Sequence, residues 1–224
     1  MMMLFKKKKK ELPKLHWKDI TIARNKAILD VYERYEGQEK DLFFLYDLTC
    51  AAYGKPSDWI DGMKVGEANE YINSLAIVNE KPKVNIARGS YILNGHKYKV
   101  SMNMQAITTA QYIDFQQMAD KAKDMPAEFL SIILVPNGHK YNDGYDMEEV
   151  TKDIENCMRI EDCLGLTAFF LRLWQMSMKR ALRKLNRMVD KAEKEGLMSK
   201  EQLDALKRVR QLLESANGLK PLTL

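Results

Sequence analysis

Three histidines, His16, His96 and His139, and three cysteines, Cys50, Cys157 and Cys163, are the side chains in this sequence best suited to bind a metal or attack a substrate. Their spacing supports neither role. The histidines sit in separate contexts with no HExxH or HxH pattern, so a zinc site would have to draw ligands from distant segments. Cys157 and Cys163 match neither a CxxC pair nor a zinc knuckle. On a helix their separation is about 600° of rotation, a net turn of about 120° that aims the two thiols in different directions. The patterns GxxxxGKS/T, GxGxxG and GxSxG do not occur, so phosphate-cradling loops and the hydrolase nucleophile elbow lack their simplest signatures. The reading is of a non-enzymatic protein with no catalytic residue, no cofactor and no metal.

Two loops invite a closer look. Residues 142–149 gather Asp143, Asp146, Glu148 and Glu149 near Gly144, an oxygen-rich stretch without the spacing of an EF-hand. A turn in which Asp146 caps the following helix is the favoured reading. The pentapeptide NGHKY stands twice, at 94–98 and 137–141. Its flanks do not match between copies, which favours shared turn chemistry over a duplicated functional loop.

A binding surface is the better prospect. Periodicity predicts a long helix from Asp162 to about Lys194. With Met178 at the origin and about 100° per residue, Leu171, Trp174, Leu182, Leu185 and Val189 fall within about 40° of it. Arg172, Lys179, Arg180, Arg183, Lys184, Arg187 and Lys191 lie about 100° or more away. This basic face reads either as a set of phosphate contacts or as a solvated surface partly neutralised by Glu201, Asp204 and Glu214 of the last helix. The second reading is preferred, and any nucleic-acid binding is expected to be weak. Leu166, Phe169, Leu173 and Met176 lie on the same side as the cations. A half-helix so apolar around its girth must be covered by its own domain or by a partner chain, and these four residues form the candidate protein interface.

The elements that would hold this helix follow from local signals. Helical spacing predicts helices from Asp19 to Gly37, over 39–53 with Gly54 and Pro56 as the stop, and over 65–78. The second is apolar nearly all round and reads as a central core element. In SYILNGHKYKV, at 90–100, two β-type runs flank Asn94-Gly95, the strongest hairpin signal in the chain. Thr108 with Gln111 is a capping box opening a helix that presents Tyr112, Phe115, Met118 and Ala119 on one face. Residues 128–135 are too short an apolar run to divide between helix and strand. A helix from about Met147 precedes the long one. Gly196 then breaks the chain, and Ser199 with Gln202 caps a last amphipathic helix over 201–216 that stops at Asn217-Gly218. The fold class is mainly α: a helical domain over 16–195 with one short β-hairpin near 90–100, a basic tail at 1–15, and a C-terminal helix at 196–224 that completes a helical hairpin.

Composition agrees. Of 224 residues, 46% are hydrophobic, Lys and Arg total 36 against 31 Asp and Glu for a net charge of +5, and there are 11 Gly and 6 Pro. That excludes a disordered, collagen-like or disulfide-stapled chain. No run approaches the 18 or so apolar residues of a membrane helix. The apolar residues 1–5 precede the lysines at 6–10, the reverse of a signal peptide, so a cytoplasmic protein with reduced thiols is expected.

Four stretches in this order, SYILNGHKYKV, MQAITTAQYIDFQQMAD, LSIILVPNGHKYNDGYD and LTAFFLRLWQMSMKRAL, together with the helical N-terminal portion, resemble bacteriophage tail assembly chaperones and related tail-region morphogenesis proteins. The resemblance runs to about Met188 and leaves out the last helix. It implies a protein-binding helper in virion morphogenesis, placed in the host bacterial cytoplasm, whose partners are other phage structural or tail proteins or further copies of itself. It also admits a structural virion component of the tail, connector or capsid. A nucleic-acid-binding accessory using the lysine run and the basic face is the remaining alternative. No site residue can be carried across, because the group has no established site motif.

Overall fold

The computed structural model describes residues 12–103, 106–195 and 199–216; the lysine run at 6–10, the break at Gly196 and the stop at Asn217-Gly218 lie outside them. The fold is mainly α, with one small antiparallel sheet. The chain divides into two compact units, one built from residues up to 85 with 152–163, the other from 86–151 with the residues from 164 onward.

In the first unit, α1 (Ile22–Arg34) starts where the Thr21 hydroxyl accepts the Arg24 N–H. Then α2 (Leu42–Tyr53) starts where the Asp41 carboxylate accepts the Phe44 N–H at 3.0 Å, satisfying donors that a helix start leaves open. Gly54, at φ 63°, closes α2 in the left-handed conformation that glycine tolerates best. The Phe44 ring meets Tyr32 and Tyr35 edge-on at 5.3 and 5.5 Å, which clamps the two helices together. The expectation of an α2 covered nearly all round holds for its second half, where Leu48, Thr49, Cys50, Ala51 and Ala52 are all buried, and fails at its start, where Leu42 is 50% and Phe43 69% exposed. The predicted third helix is also shorter: α3 (Val65–Asn73) ends because Ser74 turns its hydroxyl onto the Tyr71 carbonyl, and the flanking backbone of Ser74 and Ala76 pairs with Leu15. The junction of the next two helices closes this unit: the Ile22 N–H donates to Met158 O and the Ile160 N–H to Ile20 O, around a core of Ile20, Ile28, Leu48, Ile154 and Met158.

In the second unit, β1 (Ser90–Leu93) and β2 (His96–Val100) pair antiparallel as predicted, with Asn94 and Gly95 at φ 49° and 78° as a two-residue primed turn requires. Tyr91, Leu93, Tyr98 and Val100 point inward, and Ile92 outward. A third strand, β3 (Leu134–Pro136), adds to β2 with Val100 opposite Leu134. The ambiguous run at 128–135 proves to be both structures: α5 (Pro126–Ile133) passes directly into β3. Before it, α4 (Thr109–Met118) starts on the Thr108 hydroxyl, which accepts the Gln111 N–H at 3.1 Å. The other half of the expected capping box does not form: the Gln111 amide is buried and donates instead to the Ile132 carbonyl at 2.6 Å, fastening α4 to α5. Next, α6 (Met147–Cys157) is entered through Asp146, whose carboxylate accepts the Glu148 N–H at 2.8 Å. Finally come α7 (Ile160–Glu195) and α8 (Lys200–Ala216), the latter opened by a complete capping box between Ser199 and Gln202 at 3.0 and 3.3 Å. Among the described residues no helix is long and apolar enough to cross a membrane.

Candidate functional site

Helix α7 carries both surfaces that the sequence singles out. Its first turn holds Glu161 and Asp162, which suit the positive end of the helix dipole. From there Leu166, Phe170, Trp174 and Met178 recur every four residues as one buried ridge. Phe115 of α4 lies 6.2 Å from Phe170 and 5.6 Å from Trp174, and Tyr112 lies 5.2 Å from Trp174 while its hydroxyl donates to Met178 Sδ. These contacts fix the helix's rotation about its axis and so decide which residues face outward.

The outward face differs from expectation in one member. Leu166 is wholly buried and belongs to the interior, so it does not form part of the candidate interface. Phe169 and Leu173 are half-buried and Met176 is 42% exposed. Arg172, Lys179, Arg180, Arg183, Lys184, Arg187 and Lys191 are all exposed. With Met176 as the origin, Phe169, Leu173 and all seven cations fall in one sector about 140° wide. The two predicted surfaces are therefore one stripe, apolar toward its start and cationic toward its end.

The expected neutralisation of this stripe by α8 does not occur among the described residues. The ion pair between the two helices runs the other way, from Lys207 of α8 to Glu193 of α7 at 2.7 Å. Val189 and Ala192, buried beside Glu193, mark the side of α7 that is covered. Arg180, Arg183, Lys184 and Arg187 lie about 120–180° around the helix from Val189, and among the described residues no ion pair joins them to Glu201 or Asp204. The Glu214 side chain lies outside the described residues. Lys191 reaches Glu195 at 3.9 Å, and the other six cations have no acidic partner among the described residues.

Beside the stripe runs a groove of about 420 Å³. Leu173, Met176, Ser177, Arg180, Ala181 and Lys184 form one wall and floor, and Met102 with Asn103, in the segment after β2, forms the other wall. No periodicity or motif marks Met102 and Asn103 in the sequence, since their part depends on where the sheet places the end of β2.

The other chemistry-bearing residues hold structure. His16 Nδ1 lies 3.0 Å from a Glu80 carboxylate oxygen, and the Trp17 indole N–H donates to Glu80 O at 2.8 Å, pinning the first described residues to the turn after α3. In the acidic loop, Asn142 and Gly144 take φ 58° and 75°, and the Asn142 N–H donates to the Tyr145 hydroxyl. The two NGHKY copies touch, through the Asn137 N–H donating to the Lys97 carbonyl at 2.8 Å. Cys50 and Cys163 are buried and Cys157 is exposed, and burial pushes the Cys50 thiol's pKa upward, away from nucleophilic use. Among the described residues no three His, Cys, Asp or Glu side chains gather as a metal would require. Comparison with known protein families, curated proteins and solved structures found no match to this chain.

Proposed function

We propose that this protein acts without turnover, as a morphogenesis factor of the phage tail assembly chaperone kind, holding other structural proteins of the particle through the outer stripe of α7 while they assemble in the host cytoplasm. One observation carries the reading: exposed Met176 and the half-buried Phe169 and Leu173 run into seven exposed cations, of which Lys191 alone has an acidic partner among the described residues. Exposed apolar area costs free energy in water, and a row of like charges repels itself, so a partner that covers both relieves both. The order of elements that resembles the phage proteins supports the same reading.

The test is made in two parts. Disrupting the gene in its parent phage is expected to leave incomplete particles, with the protein absent from finished wild-type virions; a fixed copy number in virions would make it a structural component instead. Phe169→Asp and Leu173→Asp are expected to abolish association with the particle's structural proteins while circular dichroism keeps its helical signature. Association that survives both substitutions defeats the reading, as does simple unfolding by both.

A further inference from the structure

We infer that the groove along α7 is the docking site for an acidic amphipathic segment of a partner protein, with apolar anchors at one end and carboxylates at the other. This rests on the assembly reading above and names the chemistry of the partner it requires.

The argument is charge and shape complementarity. Leu173, Met176 and Met102 give the groove an apolar start; methionine side chains adapt to varied apolar partners because they are unbranched and polarisable. Arg180 and Lys184 line its continuation, and Arg183 and Arg187 stand beside them on the same sector. From Arg180 to Arg187 the helix rises about 10 Å, so carboxylates spaced one and two turns along a bound helix would meet successive cations. Guanidinium groups favour carboxylates through paired hydrogen bonds. Among the described residues the groove's lining contains no acidic side chain to repel such a segment. A nucleic acid fits less well: no aromatic ring lines the groove to stack a base, and a phosphate backbone would leave the methionine and leucine floor uncovered.

The full-length protein would be titrated, by fluorescence anisotropy, into a labelled peptide of roughly 16 residues, about 24 Å of helix, bearing Leu and Met anchors in its first two turns and Glu in the last two. A control peptide carries Lys at every Glu position. The acidic peptide is expected to bind at least about tenfold more tightly at about 0.05 M salt, with most of that advantage gone by about 0.5 M. The surface variant Arg180→Glu/Lys184→Glu, which leaves the buried ridge untouched, is expected to reverse the preference. Met176→Gln is expected to weaken both peptides. Failure of the acidic peptide to bind, equal affinity for the two peptides, or a preference unmoved by the double variant overturns the proposal. So does tighter binding of an about 20-base-pair DNA duplex that the double variant loses. Should the peptides fail while Phe169→Asp still abolishes association with the structural proteins, the partner chemistry is wrong and the assembly reading stands. Should Phe169→Asp leave that association intact, the assembly reading itself falls.

Discussion

The two halves of α7 are one continuous helix solved in two ways. Residues 164–178 are held by tertiary packing: four large apolar side chains at every fourth position are buried, and three of them, Phe170, Trp174 and Met178, meet Tyr112 or Phe115 of α4. Residues 179–195 keep Val189 and Ala192 as interior anchors and give most of their circumference to charge. An isolated helix of such length is marginal in water, so the second half depends on continuity with the first and on the ion-paired contact with α8. Stability is concentrated in the first half, whose outer side also carries the apolar start of the stripe, and six of the stripe's seven cations stand on the second.

That contrast predicts unequal responses to substitution. Trp174→Ala should destabilise the protein by about 3–5 kcal/mol in denaturant unfolding, because it empties the middle of the ridge. A loss under about 1 kcal/mol would erase the distinction between the halves. Val189→Ala removes about two methylene equivalents, or about 1–2 kcal/mol, and its effect should be local. Hydrogen exchange should speed up over 179–195 and in α8 while 164–178 keeps its protection; equal acceleration in both would show that the helix opens as one unit.

Thr167 sharpens the first half of the comparison, because its buried hydroxyl oxygen has no hydrogen-bond partner among the described residues. Thr167→Val keeps the shape and removes the orphan, and should raise stability by about 1 kcal/mol; a loss of that size would mean the hydroxyl is satisfied in solution. The smallest effect is a slope with pH. Burial pushes the Tyr112 hydroxyl, beside Trp174, above the usual tyrosine value of about 10. Below that value both folded and unfolded states are protonated and stability is complete. Above it the unfolded chain ionises first, so stability falls as pH rises. Tyr112→Phe should flatten part of that fall when unfolding midpoints are measured from pH 9 to pH 11, about one unit either side of that value. Tyr35, Tyr141, Tyr145 and the Cys50 thiol, each raised chiefly by burial, add to the fall with the same sign.

Signals confined to a few neighbouring residues were legible in the sequence. Asn94-Gly95, Thr108, Asp146 and the Ser199–Gln202 box each satisfy a local demand of the backbone, and each forms where its residues stand. What depends on distant partners was not legible. The strand of β3 carries no alternation of its own and exists because β2 offers it an edge. The two NGHKY copies show the same limit: after Leu93 the Asn-Gly pair makes a tight hairpin into β2, whereas after Pro136 Asn137 bonds to Lys97 and only Gly138 takes a positive φ, of 93°. For the candidate site, the helix face was readable from periodicity. The burial of Leu166, the far wall at Met102 and Asn103, and the Lys207–Glu193 pairing between α8 and α7 depend on packing that periodicity does not encode. Nor does the division into two units show, since α6 and α7 run through its boundaries as continuous helices, Gly165 beside the second one included.

The direct passage of α5 into β3 also sets an order of events during synthesis. The hairpin of β1 and β2 closes within about 1–10 μs once both strands exist. Its second edge must then wait for Leu134, which at ribosomal rates emerges about 2–7 s after Val100. Throughout that interval β2 presents an unpaired edge, the kind of template on which nascent chains aggregate. Lys97 and Lys99, exposed on that strand, place charge along the edge while it waits, so replacing both with threonine should leave the finished protein folded and lower its soluble yield in the cell.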